Sequence, residues 1–195
     1  ECAVLAKQAG LKNNFVTNGY MSAEALKKIA PYLDAANVDL KGDENFYKNL
    51  CGAHLAPVLK NIQAMKEYGI WVEVTTLVIP EYNDSEEVFH LLADSLSKIS
   101  FEIPWHFSRF FPTYKMSDHH PTSGERVKQF RQMAREAGFY YVYTGNIPGD
   151  EGENTACPKC GFLLIRREGY LVSANNIVRG ACKKCRFKIA GIWEK

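Results

Sequence analysis

Apolar residues along the chain recur with two alternating periods. Five short stretches rich in β-branched and aromatic residues read as strands: Asn14 to Thr17, Asn37 to Leu40, Ile70 to Ile79, Ile103 to Phe107 and Tyr140 to Tyr143. Between them, apolar positions three and four apart predict helices over 22–34, 54–68, 85–98 and 123–137, with a short one near 43–50. Asp84 with Glu87, and Thr122 with Glu125, fit capping boxes at two of the helix starts, and Gly69 and Gly138 sit where helices should stop. This alternation predicts βαβ units and an α/β fold with a parallel sheet. The strands read as continuous apolar runs, which predicts burial on both faces. The chain opens on Glu1 with a helical pattern already running through Cys2, Val4, Leu5 and Ala9, so it reads as the C-terminal part of a longer protein.

The pattern breaks at Thr144. Residues 144–156, TGNIPGDEGENTA, read as a linker rich in Gly and acidic residues. After it come FLLIRR, a turn at Glu168-Gly169, YLVS and a final FKIAGIW, which predict short antiparallel β pieces around pairs of cysteines. The expected division is therefore 1–145 for the αβ part and 146–195 for linker and tail.

Composition supports two unlike pieces. The formal net charge of +2 combines +7 over residues 157–195 with −5 over residues 1–156. With 46% hydrophobic and 24% charged residues in 195, disorder, collagen and coiled coil are excluded as the main reading. The best apolar run, Ile70 to Pro80, is broken by Glu73 and is shorter than the ~18 residues of a membrane span. The expectation is a cytoplasmic protein without a membrane partner.

Cys157-Pro-Lys-Cys160 and Cys182-Lys-Lys-Cys185 give two C-x2-C pairs separated by 21 residues. Four thiolates suit a tetrahedral zinc ion, and each two-residue spacer points both sulfurs at one centre. Rubredoxin-like iron takes the same ligands, and disulfides or free thiols are the bland alternative. Gly161 suits the turn after the first pair, whereas Arg186 stands at the matching place after the second. A saturated site of this kind is structural. The basic residues of the tail are scattered rather than interleaved with aromatics, which disfavours nucleic acid as a partner. Cys2 and Cys51 read as ordinary buried thiols.

In the αβ part, Thr17-Asn18-Gly19 follows the first strand and Asp39-Leu-Lys41-Gly42 ends the second, where parallel folds gather functional groups. Asp39 and Lys41 are two apart and share a face, where they either pair or serve a ligand. TNG, VDLKG and VEVTTLVIPEYNDS resemble the later half of the radical SAM core of pyruvate formate-lyase activating enzymes. WHFSRFFPTYKMSD, YVYTGNIPG, N-T-x-C-P-x-C-G and the terminal GIW are similar to the AmmeMemoRadiSam-system radical SAM family.

The resemblance implies a partial (β/α)6 radical SAM, TIM-like barrel followed by a zinc-ribbon-like β module. It implies an enzyme whose reduced [4Fe-4S] cluster cleaves S-adenosylmethionine to a 5′-deoxyadenosyl radical, with an unidentified substrate of which a protein is one candidate. Memo-like and AMMECR-like proteins are partners by family association. By similarity, Thr17, Asn18, Asp39 and Lys41 would lie around S-adenosylmethionine, with His106 and Arg109 on or after the fourth strand as further pocket candidates. The activating enzymes have Asp before TNG, where this chain has Val16. The family's C-x3-C-x2-C cluster motif and its Gly-Gly-Glu-Pro segment do not occur in these 195 residues, so the chain alone is expected to be inactive. The rival reading is a non-catalytic, metal-stabilised module that binds protein or nucleic acid. Asp118, His119 and His120 read as a surface loop, and Trp105, Phe107, Phe110, Phe111 and Tyr114 as core and pocket wall.

Overall fold

A computed structural model describes residues 1–193. Five strands form one parallel sheet in chain order, β1 (Asn14–Thr17), β2 (Ala35–Asp39), β3 (Trp71–Val78), β4 (Trp105–Arg109) and β5 (Val142–Gly145). The helices are α1 (Cys2–Gln8), α2 (Ala23–Ile29), α3 (Glu44–Phe46), α4 (Leu55–Glu67), α5 (Glu86–Ser97) and α6 (Gly124–Glu136). The sheet is open. Among the described residues β1 pairs with β2 alone, and Val16 is 80% exposed at the edge.

Each strand presents alternate residues to the helices, and these make the core. Val38, Val74, Trp105 and Phe107 lie buried in one cluster with Val58 of α4, Phe89 of α5 and Phe130 of α6. The Phe89 and Trp105 rings stack with centroids 5.7 Å apart, and the Trp105 indole donates to Thr76 Oγ1 at 2.9 Å. Thr76 in turn donates to the Leu40 carbonyl at 2.8 Å, so the polar atoms within the core are satisfied. The opposite face holds Asn37, Asp39, Glu73, Thr75, His106 and Tyr143, all half-buried. Burial therefore alternates along the strands, contrary to the continuous runs read from the sequence. Helices cover one face of the sheet, and a polar row occupies the other.

Several boundaries shift for identifiable reasons. β2 starts at Ala35 rather than Asn37, because the Asp34 carboxylate takes the Asn13 N–H at 2.9 Å and fixes the entry. β4 starts at Trp105 rather than Ile103, since Pro104 has no N–H for the ladder. β5 runs through Gly145, two residues beyond the expected end, in register with Ser108. The helix expected over 22–34 ends at Ile29 and passes into a 3-10 turn around Pro31. The short helix near 43–50 is α3 followed by a π turn over Tyr47–Cys51. The caps of α5 and α6 are Ser85 and Ser123, whose hydroxyls accept from Val88 and Arg126 N–H. Asp84 instead accepts from Glu81 N–H, and Thr122 is buried between Phe110 and Val78. Gly69 and Gly138 do take left-handed backbone after their helices.

Residues 144–156 are more ordered than a linker. Thr144 donates to Asp150, which also takes the Gly152 N–H, and β6 (Thr155–Ala156) follows a 3-10 turn. β6 pairs with β7 (Leu163–Glu168), and β7 with β8 (Leu171–Asn175), all antiparallel. β9 (Ile177–Val178) and β10 (Ala181–Cys182) form a small second ribbon. The final FKIAGIW contributes one isolated bridge, Lys188 to Ala181, rather than a strand. Residues 194–195, the end of the expected tail, lie outside the described residues. No helix among the described residues is long and apolar enough to cross a membrane.

Candidate functional site

The four tail cysteines converge. Their sulfurs all lie within 4.8 Å of one another, with Cys157 and Cys185 at 3.6 Å and Cys160 and Cys182 at 3.9 Å. Tetrahedral coordination at ~2.3 Å per Zn–S bond sets sulfur–sulfur edges near ~3.8 Å. The spacing thus fits one four-thiolate ion and is far beyond the ~2.05 Å of a disulfide.

Two matching knuckles produce this geometry. Cys157 N–H donates to the Phe162 carbonyl and Gly161 N–H to the Cys157 carbonyl, both at 2.9 Å. Cys182 and Arg186 repeat both bonds, with Phe187 in the place of Phe162. Without an ion, burial pushes the Cys157 thiol up to about 12. At Cys182 burial is outweighed by the N–H groups of Cys185 and Lys184 and by the neighbouring thiols, and its pKa is lowered to about 7. A cation must therefore displace protons from this set as it binds. Iron of the rubredoxin type and zinc both suit these donors.

Cys2 and Cys51, expected to be buried thiols, are both exposed. No residue of α1 is buried, and the π turn carries Cys51 outward. Among the described residues only the four tail cysteines form a metal-competent group, so this chain does not fit the three-cysteine demand of a [4Fe-4S] cluster outside its tail.

On the polar face of the sheet, Asp39, Thr75, His106 and Tyr143 form one row across β2 to β5. Lys41 Nζ pairs with Asp39 Oδ2 at 2.9 Å, with both side chains about one-third exposed. The spacing argument thus put them together on the right face, and they do pair. His106 Nε2 lies 2.8 Å from Glu73 Oε2, and its ring stacks on Tyr143 with centroids 4.9 Å apart. Burial would push the Glu73 carboxyl up. The bond and charge of His106, the Trp71 indole N–H at 3.0 Å and the nearby Arg167 charge outweigh this and hold it below its ordinary value.

The other candidates point elsewhere. Thr17 is in register with Val38, which faces the helices, and its hydroxyl accepts from Gly19 N–H at 3.1 Å. Asn18 accepts from Tyr20 N–H at 2.9 Å. Both side chains therefore build the turn. Gly19 has φ 69°, and a Cβ there would stand 2.7 Å from Val38, so glycine is required. Arg109 is three residues from His106 and lies on the opposite parity. Its Nε donates to the Thr122 carbonyl at 2.6 Å and its guanidinium covers Phe111. Trp105, Phe107 and Phe110 are core as expected, but Phe111 and Tyr114 are exposed. The Asp118–His120 loop gathers no metal-competent group.

Two residues escaped the sequence reading. Glu73 was noticed only as a charge interrupting an apolar run. Asn83 is 1% exposed and joins the strand ends: its Nδ2 donates to the Lys41 and Leu77 carbonyls at 2.5 and 2.8 Å, and its Oδ1 accepts from Ile79 N–H at 2.6 Å. An Asn in a loop after an apolar strand was the available signal.

Residues 1–92 match the profile of the Radical SAM superfamily. The chain is 44% identical over 97% of its length to an uncharacterized protein of Methanocaldococcus jannaschii, and spans 57% of that protein. Its fold is similar to a domain of pyruvate-formate lyase-activating enzyme from Bacteroides vulgatus, with TM-score 0.63, 19% identity, and 74% and 88% of the two chains covered. It is also similar to Streptococcus suis SuiB, solved with S-adenosylmethionine and with precursor peptide SuiA. There the TM-score is 0.55 at 13% identity, over 74% of this chain and 35% and 34% of SuiB. The five-stranded parallel α/β sheet thus shares the fold of these structures.

Proposed function

We propose that the chain is the later part of a radical SAM enzyme, a reading supported by the profile match over residues 1–92 and by the fold likeness of the sheet that precedes the four-thiolate tail. It supplies the strands that hold S-adenosylmethionine, and the [4Fe-4S] ligands come from sequence outside these 195 residues. In the whole enzyme, reductive cleavage of S-adenosylmethionine would yield a 5′-deoxyadenosyl radical that abstracts hydrogen from a substrate. The observation that carries this reading is the Asp39–Lys41 pair at the C-terminal end of β2, on the face that the helices leave open.

Lys41 offers an ammonium to carboxylate or hydroxyl oxygens, and Asp39 offset charge for the sulfonium side. His106, in the same row, walls the pocket. Thr17 and Asn18 contribute through the turn they hold rather than through free side-chain oxygens. Arg109 supports the wall through Thr122. We assign zinc to the tail, and on the N-T-x-C-P-x-C-G and GIW segments we assign the chain to the AmmeMemoRadiSam system. A protein substrate and Memo-like or AMMECR-like partners follow from that assignment.

Titration of the ¹⁵N-labelled chain with S-adenosylmethionine tests the reading. Shifts are expected at Asn18, Asp39, Lys41 and His106, and Lys41→Ala should abolish them. After anaerobic treatment with iron and sulfide, the chain alone should release no 5′-deoxyadenosine above a no-protein control. Release would show that the cluster ligands lie within these residues, and the absence of any shift would remove the pocket. A scaffold for a metal-stabilised binding module is the second reading, favoured by the +7 charge of residues 157–195.

A further inference from the structure

A cavity of about 380 Å³ lies between the start of the parallel sheet and the tail, at the end of the strands opposite Asp39 and Lys41. Its walls are apolar and aromatic, with Trp71, Tyr141 and Trp193 among them. Two opposite charges line it, Glu73 from β3 and Arg167 from β7, and no ion pair joins them among the described residues. The other charges on the rim, Lys12 and Asp34, neutralise each other at 3.3 Å.

Hydrogen-bond inventories show what each charge has left to offer. The Glu73 carboxylate has about four acceptor sites. It spends two, on the Trp71 indole and His106. Arg167 uses Nη1 for the Glu153 carbonyl and Thr155 Oγ1, at 3.0 and 2.8 Å, and its plane lies over Tyr143 at 5.7 Å. Its Nε and Nη2 hydrogens carry no bond to the described residues, which leaves donors for a planar acceptor such as a carboxylate. A half-buried acid and a half-buried base beside apolar walls suit a ligand bearing both complementary charges and an apolar body.

We infer that this cavity binds a free α-amino acid with a large apolar side chain, its ammonium at Glu73, its carboxylate at Arg167 and its side chain among the aromatic walls. The site lies at the other end of the strands from Asp39 and Lys41, and the Glu73–His106 bond links it to the proposed S-adenosylmethionine pocket. It joins the tail to the sheet, since Glu73 and Trp71 belong to one and Arg167 and Trp193 to the other.

The probes are L-phenylalanine, phenethylamine and 3-phenylpropanoate, added to the ¹⁵N-labelled 195-residue chain up to about 10 mM, where even weak sites respond. Saturable shifts of the Trp71 and Trp193 indole N–H signals are expected with phenylalanine, and about ten-fold weaker binding of each analogue that lacks one charge. Glu73→Gln and Arg167→Met should each weaken phenylalanine about ten-fold while metal content and melting temperature hold. Should Glu73→Gln disturb the fold, Arg167→Lys keeps the charge and removes the fork. It must then weaken phenylalanine without weakening phenethylamine. Unmoved indole signals, or equal affinity for phenylalanine and either analogue, would overturn the inference.

Discussion

Arg186 stands after the second cysteine pair where Gly161 stands after the first, and both hold left-handed backbone, at φ 62° and 68°. A side chain in this region costs ~1–2 kcal/mol, which glycine largely avoids. The knuckle imposes the angle, because the N–H of this residue must return to the carbonyl of the first cysteine.

Arg186→Gly should therefore tighten the second knuckle by up to about 1 kcal/mol, or about five-fold in metal affinity. Competition with a chromogenic chelator measures this. Gly161→Ala should move affinity the other way. Equal affinity across the three proteins would mean that the knuckles are not strained.

Metal removal should release the tail and leave the sheet. Tyr141, at the entrance to β5, packs with Cys157, Cys182, Leu164 and Ile189, and its hydroxyl accepts from Ala190 N–H at 3.1 Å. The tail core is too small to stand without its ion. Elemental analysis should find about one zinc or iron per chain. Chelation should expose the tail to protease, while the helical signal of the αβ part remains. A metal-free native chain with six freely titrating thiols would reject the site.

These outcomes bear on what the sequence made legible. The metal site was readable because C-x2-C spacing is local and each knuckle closes on itself. The α/β order was readable because strand and helix periods alternate. The shared face of Asp39 and Lys41 followed from parity alone, and so should the split of His106 from Arg109 have done. Glu73 was not readable as a site residue. Its meaning depends on His106 from a neighbouring strand and on Arg167 from the tail, 33 and 94 positions away. The mistaken two-sided burial has a similar cause, since apolar content along a strand does not say which face lacks a cover.

Asn83→Ala should cost about 1–3 kcal/mol, because it leaves a buried N–H and two part-buried carbonyls without the Asn83 side chain. The loss should also loosen Lys41, whose carbonyl Asn83 holds. Denaturant melting measures the first effect, and amide exchange at Lys41 and Gly42 the second. Asn83→Asp keeps only the acceptor toward Ile79 and should recover little. A cost below about 0.5 kcal/mol for Asn83→Ala would show that water replaces these bonds.

Acid should act on the start of α4 through Glu44. Its carboxylate takes the Leu55 N–H at 3.0 Å and lies 2.6 Å from His54 Nδ1, closing the exposed helix start that has no side-chain cap of its own. The His54 bond, then the Leu55 N–H, lower the carboxyl from an ordinary 4.5 to about 2. A carboxyl depressed by folding binds its proton more readily in the unfolded chain. Its stabilising contribution is therefore complete above about pH 4.5 and is lost as pH falls toward about 2. Acid also protonates the tail thiolates, so a global melt would mix two events. The Glu44 side-chain carboxyl signal, followed by ¹³C NMR with Leu55 amide exchange, isolates the first. The expected midpoint is near 2, with Leu55 protection declining over the same window. Glu44→Gln should lower that protection at neutral pH and make it insensitive to acid. An ordinary midpoint near 4.5 would show that His54 and the helix start do not hold the carboxylate in solution.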